Sequence, residues 1–475
     1  MFSTLNSKLE TALKYFIETH GCQMNVHDSE RMAGLLEQSG YDPAETDADA
    51  DLIVINTCSV RERAEDKLYT RLGEIKEMGR EQGRGPVVAV TGCVAQQEGS
   101  QLFKKSRGVD LVVGTQQVKM LPMLATQALA KGHALGDPTE HGRVPNGSRW
   151  SRTEGRLAIE NPYEEPSFPL GVVRRGDPVR AYVNIIEGCN DFCAFCVVPY
   201  TRGHERMRAK AEILADVKDA AESGRREVQL LGQIVNHYQA PDDPRCDFPA
   251  LLEAVHEISG IDRIRFASPH PRHTSDRLIA AVRDLPKLCK HLHLPVQSGS
   301  SRVLALMRRR HTREDYLDLV ARIRAAIPNV QLSTDMIVGF PGETPEDFDQ
   351  TLSLTETVGY HSIFSFKYSE RPNTLASRRM PDDVSGEEKT RRIVALQQLQ
   401  RRMQTALHEQ QVGRTYAVLI DAASRRRESD LSGRTSGNTV VNLPGPPDWL
   451  GRLVDVTIRR AGPNSVWGEA VDSAR

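Results

Sequence analysis

Three cysteines within eight residues, Cys189, Cys193 and Cys196, constrain this chain more than any other feature, with three and then two residues between them. Three soft thiolates on one short loop suit an iron–sulfur cluster or zinc. A four-iron cluster takes four ligands, so three leave one iron open, and an open iron can be chelated by the amino and carboxylate groups of a methionine moiety. A structural zinc site needs a fourth ligand close by, and His204, His237 and Cys246 stand at no zinc-finger spacing. The triplet follows a predicted strand and the turn at Glu187 and Gly188, and the aromatic Phe195 immediately precedes its last cysteine.

The chain around this loop is long, at 475 residues, which at roughly 150 residues per domain suggests about three domains. Lys plus Arg total 62 against 63 for Asp plus Glu, so net charge does not point to a polyanionic partner, and a nucleic-acid surface must be a local patch. No run approaches about 18 consecutive apolar residues, and the first residues lack a basic start followed by an apolar core. The expectation is a cytoplasmic protein with no membrane association. Eight cysteines are sparse for this length, so metal binding is favoured over a disulfide framework.

Alternation of short apolar runs with charged helical stretches predicts an α/β protein. Tyr15 to Thr19, Leu52 to Asn56, Val87 to Thr91 and Leu111 to Val113 read as buried parallel strands of an N-terminal domain over 13–130. Gly, Pro, Ser and charged residues mark a linker over 131–174. From Ala181, six strand and helix units, with strands at Tyr182 to Ile186, Val228 to Leu231, Arg263 to Ala267, His291 to Pro295, Leu332 to Val338 and Ile363 to Lys367, predict a partial TIM-type (β/α)6 barrel over 175–411. Its last helix, from about Glu387 to Gln411, carries the stripe Ile393, Leu396, Leu399, Met403 and Leu407. After Gly413, short strands at Tyr416 to Ile420, Thr439 to Asn442 and Leu453 to Ile458 predict a small all-β barrel over 412–475.

A second set of cysteines is dispersed. Cys22, Cys58 and Cys93 each lie within three residues of the end of one of the first three predicted N-terminal strands. In a parallel sheet those ends share one edge, where ligands collect, so the three thiols can converge into a second cluster site. The alternative is that each is a small buried residue. Cys246 and Cys289 have no such company and read as incidental.

These two triplets in this order, with Gly21 to Asn25, the run Asn56, Thr57, Cys58, Ser59, Val60, Arg61, the run Cys196 to Gly203 and the run Phe366 to Pro372, resemble the methylthiotransferase family of radical S-adenosylmethionine (SAM) enzymes over essentially the whole chain. The closest likeness is to its members that act on tRNA. The resemblance implies two [4Fe-4S] clusters, one on Cys189, Cys193 and Cys196 with an open iron for SAM, and one on Cys22, Cys58 and Cys93 that holds the sulfur to be transferred. It implies that one SAM yields a 5′-deoxyadenosyl radical that abstracts hydrogen from C2 of an adenine, and that a second SAM methylates the sulfur. The product is the 2-methylthio derivative of N6-isopentenyladenosine beside the tRNA anticodon, at position 37. No catalytic residue beyond the cluster ligands is implied.

The same resemblance places Phe195, Gly232, Gln233, Gln297, Asp335 and Gly339 at the cofactor, with Gly232 and Gln233 near the methionine amino group and Asp335 to Gly339 along the adenosine. Residues Gly433, Arg434, Thr435, Gly437 and Asn438 resemble the RNA-binding TRAM module. Implied partners are the tRNA anticodon stem-loop, an electron donor such as flavodoxin or ferredoxin, and a sulfur or iron–sulfur donor, with the chain a monomer. Met207, Arg208, Ala209 and Lys210 depart from the family's usual pattern, as does Ser301. The basic runs Arg202, His204, Arg206, Arg208, Lys210 and Arg308 to His311 are candidate phosphate contacts or solvated faces. His291 and His293 share a strand face by period two, which suits lumen packing or substrate hydrogen bonding better than a metal pair. Rival readings are the same chemistry on threonylcarbamoyl-adenosine in tRNA or on a ribosomal-protein aspartate, and a non-catalytic zinc and RNA-binding protein.

Overall fold

Alternate residues of the segment Leu52–Thr57 face opposite sides, and all six are buried, as in a strand covered by helices on both faces. Leu52 and Val54 enter one hydrophobic core with Met32 and Leu36, while Ile53 and Ile55 enter another with Leu68 and Leu72. This strand is central to the first part of a computed structural model, which describes residues 12–59, 62–82, 85–106, 108–134, 157–160, 172–424 and 430–471. Most of the expected linker over 131–174 lies outside these residues. The described residues form two compact units, the first reaching Gly176 and including the tripeptide Tyr200–Arg202, the second comprising Asp177–Pro199 and the chain from Gly203 onward.

The first unit is built on a parallel sheet of β1 (Lys14–His20), β2 (Asp42–Pro43), β3 (Leu52–Thr57), β4 (Val87–Thr91), β5 (Leu111–Val113) and β6 (Leu157–Ala158), ordered β2-β1-β3-β4-β5-β6. The short edge strands β2 and β6 have too few apolar residues to announce themselves in the sequence.

The second unit opens with β7 (Arg180–Asn184), β8 (Ile186–Glu187) and β9 (Arg206–Met207), followed by β10 (Glu227–Leu231), β11 (Arg263–Phe266), β12 (His291–His293), β13 (Gln331–Val338) and β14 (Ser362–Lys367). Parallel pairing runs β7-β10-β11 and β12-β13-β14, and a bridge from Ile264 to Leu288 links the two halves, giving the expected partial barrel in chain order. The helix Gly386–Glu409 packs along β14, with Leu396 and Leu399 buried as its stripe predicted.

The same unit ends in a closed barrel of β15 (Thr415–Ala423), β16 (Asp430–Thr435), β17 (Val440–Pro444), β18 (Leu453–Ala461) and β19 (Val466–Ala470). Strands β16 and β19 are absent from the sequence reading because a glycine interrupts each. A Cβ on Gly433 would stand 2.4 Å from the Leu419 carbonyl, and one on Gly468 2.6 Å from that of Thr457, so these glycines admit the neighbouring strand.

The N-terminal ends of the parallel strands carry a buried ion network. Glu227 binds Arg180 at 2.6 Å and Arg265 at 2.8 Å, and Arg180 also reaches Asp421 of the small barrel at 3.1 Å. Arg265 donates to the Thr435 carbonyl at 2.8 Å, Arg263 to the carbonyls of Arg434 and Ala417, and the Lys290 amide to Ser436 Oγ. A Cβ on Gly437 would meet the Gln331 side chain. The turn that carries the TRAM resemblance therefore docks on the parallel barrel.

Candidate functional site

Rows of aligned residues bring the dispersed cysteines together. His20 pairs with Thr57 across β1 and β3, Thr57 bridges Gly92 past the end of β4, and the Cys58 amide donates to the His20 carbonyl at 2.9 Å. Cys22, Cys58 and Cys93 follow this row by one or two residues, so they share one sheet edge, at the carboxyl ends of the strands. Cys58 and Cys93 are buried. Close approach of the three loops depends on two glycines. A Cβ on Gly21 would lie 2.8 Å from Cys58 Cβ, and one on Gly92, whose φ is +86°, would lie 2.3 Å from Asn56 Oδ1.

Asn56, fully buried, ties the loops by donating to the Asn25 carbonyl at 2.8 Å and Ser29 Oγ at 2.9 Å, and accepts from Asn25 Nδ2 at 3.2 Å. Asn25 Oδ1 in turn accepts from the Cys22 amide and thiol at 3.4 Å. Cys22 is the N-cap of the helix Gln23–Gln38, and Cys93 sits in the first turn of the helix Gly92–Glu98, so both lie where a helix favours negative charge.

Arg202 supplies a cation to this site. It is 5% exposed, with Nη2 2.5 Å from Asp28 Oδ2, and its charge acts on the Cys22 and Cys93 thiols. A hydrogen bond from Cys58, followed by the Arg202 charge, holds the Cys22 thiol down at about 6 against the effect of burial. Burial pushes the Cys93 thiol up, with Arg202 opposing. The hydroxyls of Thr57, Ser59 and Thr91 and the Asp28 Oδ1 are buried without hydrogen-bond partners. The three hydroxyls are donors of the kind expected beside a sulfur-rich anionic group that accepts hydrogen bonds, and together with the three thiols they fit an iron–sulfur cluster.

The contiguous triad follows β8 in the second unit. Gly188 has φ +78°, and a Cβ there would meet the His204 carbonyl at 2.1 Å, while the Cys189 amide donates to the Gly203 carbonyl at 3.2 Å. The Cys196 amide donates to the Cys193 carbonyl at 3.0 Å, and Phe192 adopts a left-handed φ of +46°. Ala194 is fastened on both sides, donating to the Met307 carbonyl and accepting from the Ala376 amide. Phe195 packs edge-on against Phe340 with ring centres 6.5 Å apart. Burial pushes the Cys189 thiol up to about 12 and Cys196 higher still. Arg309, a candidate phosphate contact by sequence, is instead 7% exposed and reaches Cys193 Sγ at 3.5 Å and the Pro295 carbonyl at 2.7 Å. Among the described residues no three His, Cys, Asp or Glu side chains close around a single metal ion. One zinc would draw its thiolates to roughly 3.8 Å of each other, given a Zn–S bond of about 2.3 Å in tetrahedral geometry.

The other expected cofactor residues occupy strand ends of the same barrel. Gly232 follows β10, where a Cβ would crowd Ile186 and Val235 at 3.2 Å, and the next residue, Gln233, has its side-chain oxygen buried without a partner. Gln297 takes a left-handed φ of +79° and pairs with β13 through the Asp335 carbonyl at 3.0 Å. The Asp335 carboxylate stands 3.5 Å from His293 Nε2. Gly339 has φ +71°, and the space a Cβ would fill holds the stem of Lys389. His291 and His293 each hydrogen-bond Ser333 Oγ at 2.9 Å, an intramolecular contact.

The proposed phosphate patch needs correction. Arg202 and Arg208 are buried, the latter on Asp216 at 2.6 Å, while Arg206 pairs with Glu187 and Lys210 with Asp243. Arg309 is buried as well. Exposed cationic side chains in these runs are Arg308 and Arg310, the latter 3.8 Å from Asp191, with His204 also exposed. A run of basic letters cannot reveal which cations already have carboxylates. A group also missed is the histidine cluster beyond β10 and β11, with His237 stacked on His273 at 4.5 Å and His270 and Arg272 directed at Asp191 inside the cysteine loop. These residues are scattered in sequence and carry no spacing signal.

Comparison with known proteins agrees with this architecture. Residues 14–114 match the model described as uncharacterized protein family UPF0004, residues 183–355 the radical SAM superfamily, and residues 409–471 the TRAM domain. A tRNA-2-methylthio-N(6)-dimethylallyladenosine synthase of Geotalea uraniireducens is 45% identical over 454 residues, covering 96% of this chain and 98% of that protein. The protein of the same name from Geobacter metallireducens is 44% identical, covering 96% and 97%. Among solved structures, the radical SAM methyltransferase TsrM of Kitasatospora setae, with cobalamin and a [4Fe-4S] cluster bound, superposes with a TM-score of 0.53 at 15% identity over 77% of each chain, a likeness of fold. With three domain matches in this order and relatives of this identity over nearly its whole length, the chain belongs to the tRNA-2-methylthio-N(6)-dimethylallyladenosine synthase family of radical SAM methylthiotransferases.

Proposed function

We propose that this protein converts N6-isopentenyladenosine beside the tRNA anticodon to its 2-methylthio derivative, with one [4Fe-4S] cluster on Cys189, Cys193 and Cys196 and a second on Cys22, Cys58 and Cys93. The observation that carries the second cluster is the convergence of three sequence-distant thiols on one sheet edge among buried, unpartnered hydroxyls. When bound, a four-iron cluster with an open iron supplies the electron that turns SAM into a radical source, which an adenine C2–H bond requires because it has neither useful acidity nor a leaving group.

The chain's own residues perform the positioning. Cys189, Cys193 and Cys196 provide the thiolates, and Arg309 lends positive charge at Cys193. The unpaired Gln233 oxygen accepts from an ammonium group such as that of methionine. Phe195, Gly232, Gln297, Asp335 and Gly339 complete the strand-end surface on which SAM rests. Exposed Arg308 and Arg310 offer phosphate contacts. Unpaired anticodon-loop bases suit an enzyme whose target atom is otherwise stacked. A low-potential one-electron donor of the flavodoxin or ferredoxin kind and a sulfur donor complete the reaction, in the cytoplasm, with the protein as a monomer. Among the described residues no helix is long and apolar enough to cross a membrane.

The test is the tRNA nucleoside profile of a strain lacking the gene. The 2-methylthio-N6-isopentenyladenosine disappears and its unthiolated precursor accumulates. An unchanged profile, or loss of a methylthiolated threonylcarbamoyl-adenosine instead, refutes the substrate.

A further inference from the structure

Arg202 stands six residues after Cys196 in the sequence, yet it folds with the first unit. Two buried side chains beyond the end of β5 fix its backbone, Thr115 Oγ1 donating to the Thr201 carbonyl at 2.6 Å and Gln116 Nε2 to the Arg202 carbonyl at 2.7 Å. Its guanidinium is held by Asp28, in the helix that Cys22 caps. A buried Arg–Asp pair on its own is weak grounds for stability, since an apolar pair of similar volume often does as well. This pair shares its sheet end with the thiols, since Val113 of β5 pairs with Thr91, two residues before Cys93, and the guanidinium charge acts on Cys22 and Cys93. A planar cation with several fixed N–H donors suits a sulfur-rich anion better than a mobile ammonium would.

We propose that Arg202 is a positioning residue of the Cys22, Cys58 and Cys93 triad, a fixed cation that stabilises the negative charge gained when an iron–sulfur cluster there is reduced. The proposal rests on the two-cluster reading above. One electron from an external low-potential reductant makes the cluster more negative by one charge, and Arg202 keeps its proton throughout. Cluster potentials respond to net charge and to hydrogen bonds on sulfur, so loss of this cation makes reduction harder. The segment that begins at one cysteine triad thus ends by serving the other.

The test uses the full chain with Cys189, Cys193 and Cys196 replaced by Ala, so that iron and sulfide loaded anaerobically can assemble only on the first unit. The midpoint potential is read by redox titration followed by electron paramagnetic resonance. Arg202→Gln lowers the ratio of reduced to oxidised cluster at fixed potential about tenfold, a fall of about 59 mV for a one-electron couple. Arg202→Lys keeps the charge and stays closer to the parent. Should Arg202→Gln misfold because Asp28 is left buried alone, the paired Arg202→Gln, Asp28→Asn protein carries the test and shows a smaller shift of the same sign. An unchanged potential in the loaded, folded variant overturns the role of Arg202 and leaves the two-cluster reading standing. A parent that takes up neither iron nor sulfide overturns the reading, and the proposal with it. A folded variant that no longer loads supports the proposal if Lys restores loading and refutes it if Lys does not.

Discussion

The two cysteine triads solve the same problem by opposite means. Cys189, Cys193 and Cys196 lie on one loop whose own turns set the thiols, and the barrel merely fastens it at Gly188, Ala194 and Arg309. Cys22, Cys58 and Cys93 come from three strand ends, and nothing local relates them. Strand register, two close-packed glycines and the Asn25 and Asn56 network bring them together. A loop-borne site tolerates strain elsewhere, while a register-borne site shares the fate of its sheet.

The comparison breaks most sharply with Cys193→Ala. Formation of 5′-deoxyadenosine falls to background, while about four iron atoms per chain remain on the other triad. A variant that loses all its iron contradicts the independence of the two sites. Glu227→Gln tests the frame beneath the contiguous triad. Burial alone would raise this carboxyl, but Arg265 and Arg180 outweigh it and hold it down at about 2. Because the folded value is depressed, Glu227 contributes stability above its unfolded value of about 4.3, and the contribution is lost as pH falls toward 2. Removing the charge leaves two arginines short of a partner, at a cost of about 3–5 kcal/mol at neutral pH. The difference in melting temperature between wild type and variant should therefore be largest at neutral pH and shrink below about pH 4; a constant difference would contradict the charge assignment.

Gly92→Ala sharpens the contrast from the other side. Its left-handed φ and the 2.3 Å approach to Asn56 Oδ1 predict about 2–4 kcal/mol of destabilisation and loss of iron from the first unit alone. Gly188→Ala, with the same kind of constraint, should strip only the loop-borne site. The smallest effect is expected for Asn56→Ala, about 1–3 kcal/mol from buried partners left unsatisfied, measured by denaturant unfolding together with iron content.

Legibility in the sequence followed the same division. The loop triad was readable from spacing, and the six barrel strands from short runs alternating with helical stretches. Strands β2, β6, β16 and β19 were not, because they are very short or carry a glycine that only a neighbouring strand explains. The basic run from Arg202 to Lys210, legible only as phosphate contacts or a solvated face, is largely neither, since charge pairing with Asp28, Glu187, Asp216 and Asp243 spans up to 174 residues of sequence. The TRAM signature was recognised, yet its turn lies on the parallel barrel beside Arg263 and Arg265.

By itself the sequence determined which thiols share one loop and the order of folded parts, because thiol spacing and apolar periodicity are local properties. Only the tertiary structure decided that His20, Thr57 and Gly92 form one row, that three cysteines stand past it, and that Arg202 is buried against Asp28 rather than a surface cation. Register and burial are relations between distant segments, and they exist only once the chain has folded.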